Sequence, residues 1–333
     1  FKPMNYRYLG QTGLPLSELS LGSWRTFGES IPEKTADELM TLAYESGINF
    51  FDNAEVYAAG ASELVMGRIL KAKGWRRDTW CVSSKGFWGG CEPTRKGLFR
   101  KHVIEACHQA LERLQVDYLD LYFCHRPDLN TPIVETVAAM TDLVRQGKIL
   151  YWGTSEWTAR DIALAHAAAA RDKLVAPVME QPQYNLFARE RFEVDYSRLY
   201  KEAGLGTTVW SPLSRGELVG HYFEEKDGAF VVSKAGERWL KDAGLPPGYE
   251  VRVQKVAQFA SLARDLEITP ARLALAWVLK NSNVTTAILG ASNTDHLKEN
   301  LKAIGDVSLL TNVVMGQIES IFQTSPLPEE TFR

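Results

Sequence analysis

The chain has 333 residues, 45% of them hydrophobic and 24% charged, which is an ordinary globular composition with ample apolar material for a large core. The formal net charge of −3 gives no global attraction to nucleic acid or to anionic lipid. No apolar run approaches the roughly 18 residues that a membrane span needs, and no secretory leader pattern opens the chain. Composition therefore predicts a globular protein that neither binds nucleic acid nor inserts into a membrane.

Short apolar runs alternate with stretches of helical period along the sequence. The runs predict eight strands, Leu19–Leu21, Asn49–Asp52, Trp80–Lys85, Leu119–His125, Ile149–Trp152, Val178–Gln181, Gly206–Trp210 and Thr286–Leu289. The stretches that follow them predict the helices Thr35–Glu45, Glu63–Lys73, Lys101–Leu114, Ile133–Gln146, Ala159–Arg171, Tyr196–Ala203 and Thr294–Ile304. Such an alternation predicts a parallel sheet with right-handed crossovers.

Strand-and-helix units of this number form either a closed barrel or an open doubly wound sheet. Their spacing is nearly uniform, and no Gly-rich dinucleotide fingerprint follows the first strand, where an open sheet of that kind carries one. Both observations favour the closed form. We therefore predict one (β/α)8 TIM barrel domain over residues 1–333, with the open sheet as the alternative.

Two segments lie outside the repeat. Tyr6–Leu9 and Leu14–Leu16 predict an N-terminal β-hairpin that caps the bottom of the barrel. Ser211–Gly248 predicts a long loop after strand seven, of a length that in compact domains is usually functional or mobile. Gln254–Leu266 and Pro270–Asn281 predict two helices before the last strand.

The cysteines and histidines carry no metal or disulfide pattern. The four cysteines lack C-x-x-C spacing, so we expect free thiols in a reducing, cytoplasmic setting. The histidines lack metal-ligand spacing, so no metal is expected. The chain opens on Phe1 rather than on Met, so we expect a short N-terminal piece to precede it.

Polar side chains stand at the carboxyl ends of three consecutive predicted strands. Asp52 ends the second strand, Lys85 the third and His125 the fourth, and Tyr57 follows in the loop after the second. Active sites of (β/α)8 barrels lie at this face and are assembled from the ends of several strands. We expect these four side chains to meet there and to form a site for general acid catalysis.

The chemistry of the four residues suits carbonyl reduction. A tyrosine with its ordinary pKa of about 10 gives up a proton reluctantly. The Lys85 ammonium favours the ionised phenol of Tyr57, Asp52 keeps the lysine charged, and His125 can hydrogen-bond a carbonyl oxygen. Because no side chain supplies hydride, a nicotinamide cofactor is expected.

Taken singly, each of these residues has a structural interpretation. Lys85 could be a solvated surface lysine, Asp52 an Asx-turn residue, Tyr57 a packing residue and His125 a hydrogen-bonded structural histidine. Their occurrence together, in this order on consecutive strands, favours the catalytic interpretation.

Several segments together resemble the aldo-keto reductase superfamily: Asp52–Tyr57, Ser84–Lys85, His125–Asp128, Gly153–Ser155 and Leu289–Asn293. The resemblance runs from Tyr6 to about Ile304. It is nearest to the branch that holds the voltage-gated potassium channel β subunits, by the segments Ala54–Gly60, Gly74–Arg77, Phe87–Gly90 and Leu111–Gln115.

The resemblance implies reduction of an aldehyde or ketone to an alcohol with NADPH/NADP+ as the cofactor, preferred over NADH. It implies that Tyr57 is the general acid, that Lys85 and Asp52 tune it, and that His125 orients the carbonyl. It also implies a cofactor-binding set: Gly22, Ser23, Trp24, Asp52, Ser155, Gln181, Trp210, Ser211, Leu213, Gly216, Lys234, Gly290, Ser292, His296, Glu299 and Asn300. Within this set, Ser155 and Gln181 would hydrogen-bond the nicotinamide carboxamide and Trp210 would stack on its ring. Ser292, His296, Glu299 and Asn300 would face the adenosine end, where Ser292 and His296, with Lys234, would hold the 2′-phosphate of NADPH.

Three tryptophans, Trp24, Trp88 and Trp157, follow the first, third and fifth predicted strands. With Tyr57 and His125 they predict an apolar wall for the carbonyl substrate. Packing in the core or within the loops is the alternative for the three indoles.

The sequence departs from the resembled branch at a few positions. The channel β subunits carry Asn where this chain has His125, their basic pyrophosphate-loop residues are represented here by His221 and Lys234, and Glu156 stands where many reductases carry Asn. His125 and the lack of a long N-terminal extension favour a working reductase. The alternative is a cofactor-binding regulatory β subunit of a potassium channel or other partner. A homo-oligomer is compatible with both.

Overall fold

A closed barrel of eight parallel strands forms the centre of the protein. The computed structural model describes residues 3–226, 229–234, 236–238 and 249–327. The barrel strands are β3 (Leu19–Gly22), β4 (Phe50–Asp52), β5 (Cys81–Gly86), β6 (Leu119–Cys124), β7 (Ile149–Ser155), β8 (Met179–Gln181), β9 (Gly206–Val209) and β12 (Thr286–Leu289). Neighbours pair in that order, and β12 pairs with both β9 and β3, which closes the ring. The predicted (β/α)8 barrel is confirmed, and the open sheet is excluded.

Helices surround the barrel, and their buried apolar residues join the main core. The described helices are Glu33–Glu45, Ala61–Lys73, Arg100–Leu114, Ile133–Arg145, Ala159–Asp172, Ser197–Glu202, Tyr249–Asp265, Pro270–Lys280, Thr294–Leu301, Ala303–Asp306 and Asn312–Phe322. Several begin at a side-chain cap: Thr158, Thr269, Asn293 and Thr311 each accept the backbone N–H three residues further on. A cap of this kind is worth about 1 kcal/mol.

The bottom of the barrel is filled by apolar side chains. The hairpin of β1 (Tyr6–Tyr8) and β2 (Pro15–Ser17) lies there as predicted. Leu16 in β2 and Leu9, directly after β1, are fully buried and belong to what we call the apolar plug, made of Leu9, Leu16, Phe50, Cys81, Leu121, Phe123 and Met179. Each fully buried leucine or phenylalanine contributes roughly 1.5–3 kcal/mol. The plug closes the lower end, so polar inward positions occur only near the top.

The long connection after β9 has more structure than the sequence predicts. A short turn, Ser214–Val219, is followed by a hairpin of β10 (Phe223–Lys226) and β11 (Ala229–Val232). The remainder of the predicted loop falls partly outside the described residues. The C-terminal helix Asn312–Phe322 was also not predicted, although Val314, Ile318 and Phe322 are spaced on one face and buried.

Candidate active site

The period of two in each strand decides which side chains enter the barrel. On β4, Phe50 belongs to the apolar plug, so the next inward residue is Asp52. The same step leads from Phe123 in the plug to His125, directly after β6. Lys85 is the last inward side chain of β5. Parallel strands end at the same edge, and these three residues therefore lie above the plug.

Lys85 connects the predicted residues. Its Nζ donates to Asp52 Oδ2 at 2.6 Å, to the Asn53 carbonyl at 2.8 Å and to Tyr57 Oη at 3.0 Å. The second oxygen of Asp52, Oδ1, accepts from Ser83 Oγ at 2.8 Å and from Gln181 Nε2 at 3.1 Å. Lys85 has no exposed surface, so all three ammonium hydrogens are used inside the protein.

Tyr57 reaches this group from the loop after β4. Its N–H donates to the Ala54 carbonyl at 3.1 Å and opens a short turn, Tyr57–Gly60. Within that turn Ala58 and Ala59 have φ values of 49° and 51°. The left-handed conformation costs roughly 1–2 kcal/mol for a residue that carries a Cβ. Such strain concentrates at functional sites, and this turn begins at Tyr57, whose phenol contacts Lys85.

Burial and neighbouring charges shift the pKa values of Tyr57 and Lys85 in opposite directions. Burial raises the pKa of the Tyr57 phenol, and the positive charge of Lys85 opposes the rise without cancelling it. For Lys85, burial favours the neutral amine, but the charge of Asp52 and the bonds to Asp52 and Tyr57 outweigh it, so its pKa is raised. The expected effect of Lys85 on the phenol is therefore present but smaller than that of burial. Tyr57 stays protonated and Lys85 stays charged at neutral pH.

His125 completes the group as a neutral imidazole. Burial, followed by the charges of Lys85 and Arg126, holds its pKa well below the usual range. The ring contacts Tyr57 edge-on, with centroids 5.8 Å apart, and Trp88 at 5.0 Å. Its Nδ1 is buried and has no hydrogen-bond partner among the described residues. The ring also lines the cavity described below, and a neutral imidazole there can bond to a bound ligand without bringing a charge into the site.

These side chains lie at one end of a cavity of about 1130 Å3. Ordinary ligand pockets reach about 1,000 Å3, so the cavity has room for a cofactor as well as a small substrate. The lining includes most of the predicted residues: Gly22, Trp24, Asp52, Tyr57, Trp88, His125, Ser155, Gln181, Trp210, Ser211, Leu213, Gly216, Gly290, Ser292, His296, Glu299 and Asn300.

Comparison with known proteins agrees with this geometry. The model of the Aldo/keto reductase family matches residues 18–323. A protein of Arabidopsis thaliana named probable voltage-gated potassium channel subunit beta is 43% identical over 336 residues, which cover 99% of this chain and 100% of that protein. The chain belongs to the aldo/keto reductase family. Membership supports an oxidoreductase activity in general.

The residues of this family member fit a nicotinamide at the catalytic end of the cavity. Gln181 uses both side-chain amide hydrogens on Asp52 and Thr208, which leaves its side-chain oxygen, Oε1, for a ligand. Ser155 Oγ donates to the main-chain carbonyl of Gln181 at 2.8 Å, so these two predicted cofactor-binding residues are held together. The indole of Trp210 is fixed by its Nε1 bond to Glu156 at 3.0 Å.

The far end of the cavity fits phosphate groups. Two helices begin there, Pro270–Lys280 after Thr269 and Thr294–Leu301 after Asn293. Helix N-termini favour anions because their first N–H groups are unpaired and the helix dipole is positive at that end. The loop after β9 passes alongside at Gly216, whose φ of 92° suits only glycine.

Three predicted contacts are corrected by the structure. Ser23 is fully buried, and its Oγ donates to the Asp52 carbonyl at 3.0 Å, so it ties two strands together and does not line the cavity. Lys234 is exposed and also lies outside the lining. Trp157 is a core residue: its ring is buried against the helices, and its carbonyl accepts from Tyr196. The packing alternative was right for Trp157.

Some lining residues were not predicted. They include three arginines, Arg25, Arg126 and Arg215, each in a loop after a strand. Arg126 lies in the quoted segment His125–Asp128 but was given no role, and no motif marks Arg25 or Arg215, because an arginine in a loop is most often a solvated surface residue. Thr269 could have been found, since Thr before Pro is a helix-start signature.

Within the described residues, no cluster of His, Cys, Asp or Glu could hold a metal ion. Over the same part of the chain, no helix is long and apolar enough to cross a membrane.

Proposed function

We propose that this protein reduces an aldehyde or ketone to an alcohol with NADPH. The observation that carries the proposal is the contact of Lys85 Nζ with Tyr57 Oη at 3.0 Å, in a cavity that His125 also lines. A protonated phenol beside a fixed ammonium is arranged to donate a proton and then to stabilise the phenolate that remains.

A reduced nicotinamide, when bound, supplies the hydride. Ser155 and Gln181 would hold its carboxamide and Trp210 would flank its ring, as their positions in the lining suggest. Lys85, Asp52 and His125 are all buried, so little of their surface is open to solvent.

The proton comes from Tyr57. As a C–H bond forms at the carbonyl carbon, the carbonyl oxygen gains negative charge and takes the phenolic proton, which forms the O–H bond of the alcohol. Tyr57 is left as a phenolate next to Lys85, and the neutral ring of His125 orients the carbonyl oxygen. Asp52 keeps Lys85 charged throughout, since it is bonded to the ammonium at 2.6 Å.

Loss of the phenolic proton tests the proposal. We expect Tyr57→Phe to lower kcat for NADPH-dependent reduction of a panel of aldehydes and ketones by about a hundredfold or more, the size expected of general acid catalysis. The dissociation constant for NADPH should stay within about twofold, because the ring remains in place. Unchanged turnover in this variant, or no turnover of any carbonyl by the wild-type protein, would contradict the proposal.

The named relative favours a second candidate, a regulatory β subunit that binds cofactor and assembles with a potassium channel. This role does not compete with catalysis, because the cavity lies at the top of the barrel and leaves most of the helical surface free. Co-purification of this protein with the cytoplasmic part of a voltage-gated potassium channel, with and without NADPH, tests it.

We also propose a cytoplasmic location. Cys81, Cys91, Cys107 and Cys124 are all free, and three of them are buried. Free thiols suit a reducing compartment. Fractionation of cells that express the tagged protein tests the location.

A further inference from the structure

Two exposed arginines stand together at the mouth of the cavity. Arg25 follows β3 and Arg215 follows β9, and both line the cavity. Among the described residues, neither forms an ion pair with a carboxylate. Arg126 also lines the cavity, but its guanidinium donates to the His125 carbonyl at 2.6 Å and to Ser155 at 3.3 Å. Arg25 and Arg215, which we call the arginine pair, are exposed at the mouth, and no side-chain hydrogen bond of either is found among the described residues, so their N–H groups are open to a ligand.

The arginine pair is held by aromatic faces. The guanidinium carbon of Arg25 lies 4.9 Å from the centroid of Trp24, and that of Arg215 lies 5.7 Å from the centroids of both Trp24 and Trp210. Trp24 in turn contacts Trp210 edge-on at 6.4 Å. Stacking occupies the flat face of a guanidinium and leaves its N–H groups free to bind a carboxylate in bidentate fashion.

The backbone at both positions adopts a conformation that favours glycine. Arg25 has a φ of 60° and Arg215 a φ of 56°. Each left-handed residue with a Cβ is strained, and strain of this kind persists at sites where it serves a function. The conformation brings side chains from two distant loops onto the same indole.

The carboxylates of the cavity are already paired. Asp52 is paired with Lys85, and Glu299 is paired with Lys302 and Arg272 at the far end, while Arg126 adds a further cation beside His125. The mouth therefore carries an uncompensated positive charge although the whole chain has a net charge of −3. A cavity with charge of one sign attracts ligands of the opposite sign.

We propose that the arginine pair selects carbonyl substrates that carry a carboxylate at the end remote from the aldehyde or ketone. The inference rests on the proposed reductase function and adds its substrate class. The phosphates of the cofactor have their own donors at the two helix N-termini, whereas Trp24 borders the substrate pocket beside the nicotinamide-flanking Trp210. The two side chains converge on the Trp24 ring, and an anionic group beside that ring would be attracted by both charges.

Two isosteric aldehydes test the proposal. 4-Carboxybenzaldehyde and 4-nitrobenzaldehyde have nearly the same shape, and only the first carries a charge. Their dissociation constants are measured by calorimetry on the protein with and without NADP+. We expect the carboxylate to bind about tenfold more tightly, since charge-assisted bonds at an exposed site are weakened by solvent. The preference should shrink when NaCl is raised from 0.05 to 0.5 M.

Substitution of the arginine pair should remove this preference. In Arg25→Gln and in Arg215→Gln the ratio of the two dissociation constants should fall to about threefold, and in the double variant to about one, with 4-nitrobenzaldehyde unaffected. Arg25→Lys should retain part of the preference, because it keeps the charge and loses the bidentate geometry. The matched control is Arg76→Gln, an exposed arginine paired with Asp78 away from the cavity, which should behave as wild type.

Several results would overturn the proposal. Equal affinities of the wild-type protein for the two aldehydes would do so, as would equal losses for both aldehydes in the variants. Weaker NADP+ binding with an unchanged ratio would assign the arginine pair to the phosphates of the cofactor. Failure to oxidise NADPH with either aldehyde would count against the reductase function, while the ratio of dissociation constants would still decide the role of the arginine pair.

Discussion

The two ends of the substrate pocket are built in opposite ways. At the floor, Asp52 and Lys85 come from strands, are buried and are fully hydrogen-bonded. At the mouth, Trp24, Arg25 and Arg215 come from loops and are exposed, Trp24 by 39% of its surface. The floor is held by hydrogen bonds from every side, and the mouth by the stacking of guanidinium groups on indoles.

Under the proposed function, the floor residues carry out the reaction and the mouth residues select the substrate. A buried ion pair cannot lose one partner without leaving a charge unsolvated, so the floor tolerates little change. An exposed loop residue can change at small cost in stability. The comparison predicts that variants at the floor affect folding and catalysis together, whereas variants at the mouth affect binding alone.

The largest expected effect follows removal of the ammonium at the floor. Lys85→Met leaves Asp52 buried without its cation, and we expect the free energy of unfolding to fall by about 3–5 kcal/mol, with carbonyl reduction lost. Arg25→Gln, the comparison variant at the mouth, should change the free energy of unfolding by less than about 0.5 kcal/mol. Urea denaturation of both variants measures the difference. Similar losses in the two variants would mean that the ends of the pocket do not differ as described.

An intermediate effect concerns the buried Glu180 on β8, next to Gln181. Burial raises the pKa of its carboxyl to about 8, and its hydrogen-bond partner is the hydroxyl of Thr154. A pKa that is higher in the folded state means that the proton stabilises the fold. This stabilisation is complete below the pKa of the unfolded chain and is lost as the pH rises through about 8.

Glu180→Gln removes this titration and keeps the shape of the side chain. Between pH 6 and pH 8.5 we expect the wild-type protein to lose about 2 kcal/mol of unfolding free energy relative to the variant. Urea denaturation at the two pH values gives the unfolding free energies of both proteins. The contributions of other titrating groups are the same in both and cancel in the difference. Parallel pH dependences of the two proteins would show that Glu180 does not change its protonation in this range.

The smallest expected effect lies at the adenosine end of the cavity. His296 lines the cavity and stands 3.4 Å from Ser292 Oγ, whereas Lys234 is exposed and outside the lining. His296→Ala should weaken NADPH binding more than NADH binding, by about 1 kcal/mol for a partly exposed contact to the 2′-phosphate. Lys234→Ala is the control and should change neither dissociation constant. A loss of NADPH affinity in the Lys234 variant would restore the sequence-based assignment of that lysine to the phosphate.

The sequence by itself determined the barrel and the residues that meet at the floor of the pocket. Strands alternate their side chains with a period of two, so once Phe50 and Phe123 are inside the barrel, Asp52 and His125 must also point inward. The positions of the β4, β5 and β6 ends then bring these residues and Lys85 together, because parallel strands end at one edge. Regular geometry of this kind can be read from spacing alone.

Only the tertiary structure decided which loop residues form the mouth of the cavity and which are buried in the core. Trp24 and Trp157 both follow a barrel strand, yet one lines the cavity and the other lies under the helices. Arg25 and Arg215 meet on one indole although they belong to loops far apart in the chain. Loop conformation depends on left-handed residues and on packing against distant segments, and neither has a period that a sequence displays. The inward face of a strand repeats along the chain, whereas a contact between two loops exists only after the barrel has closed.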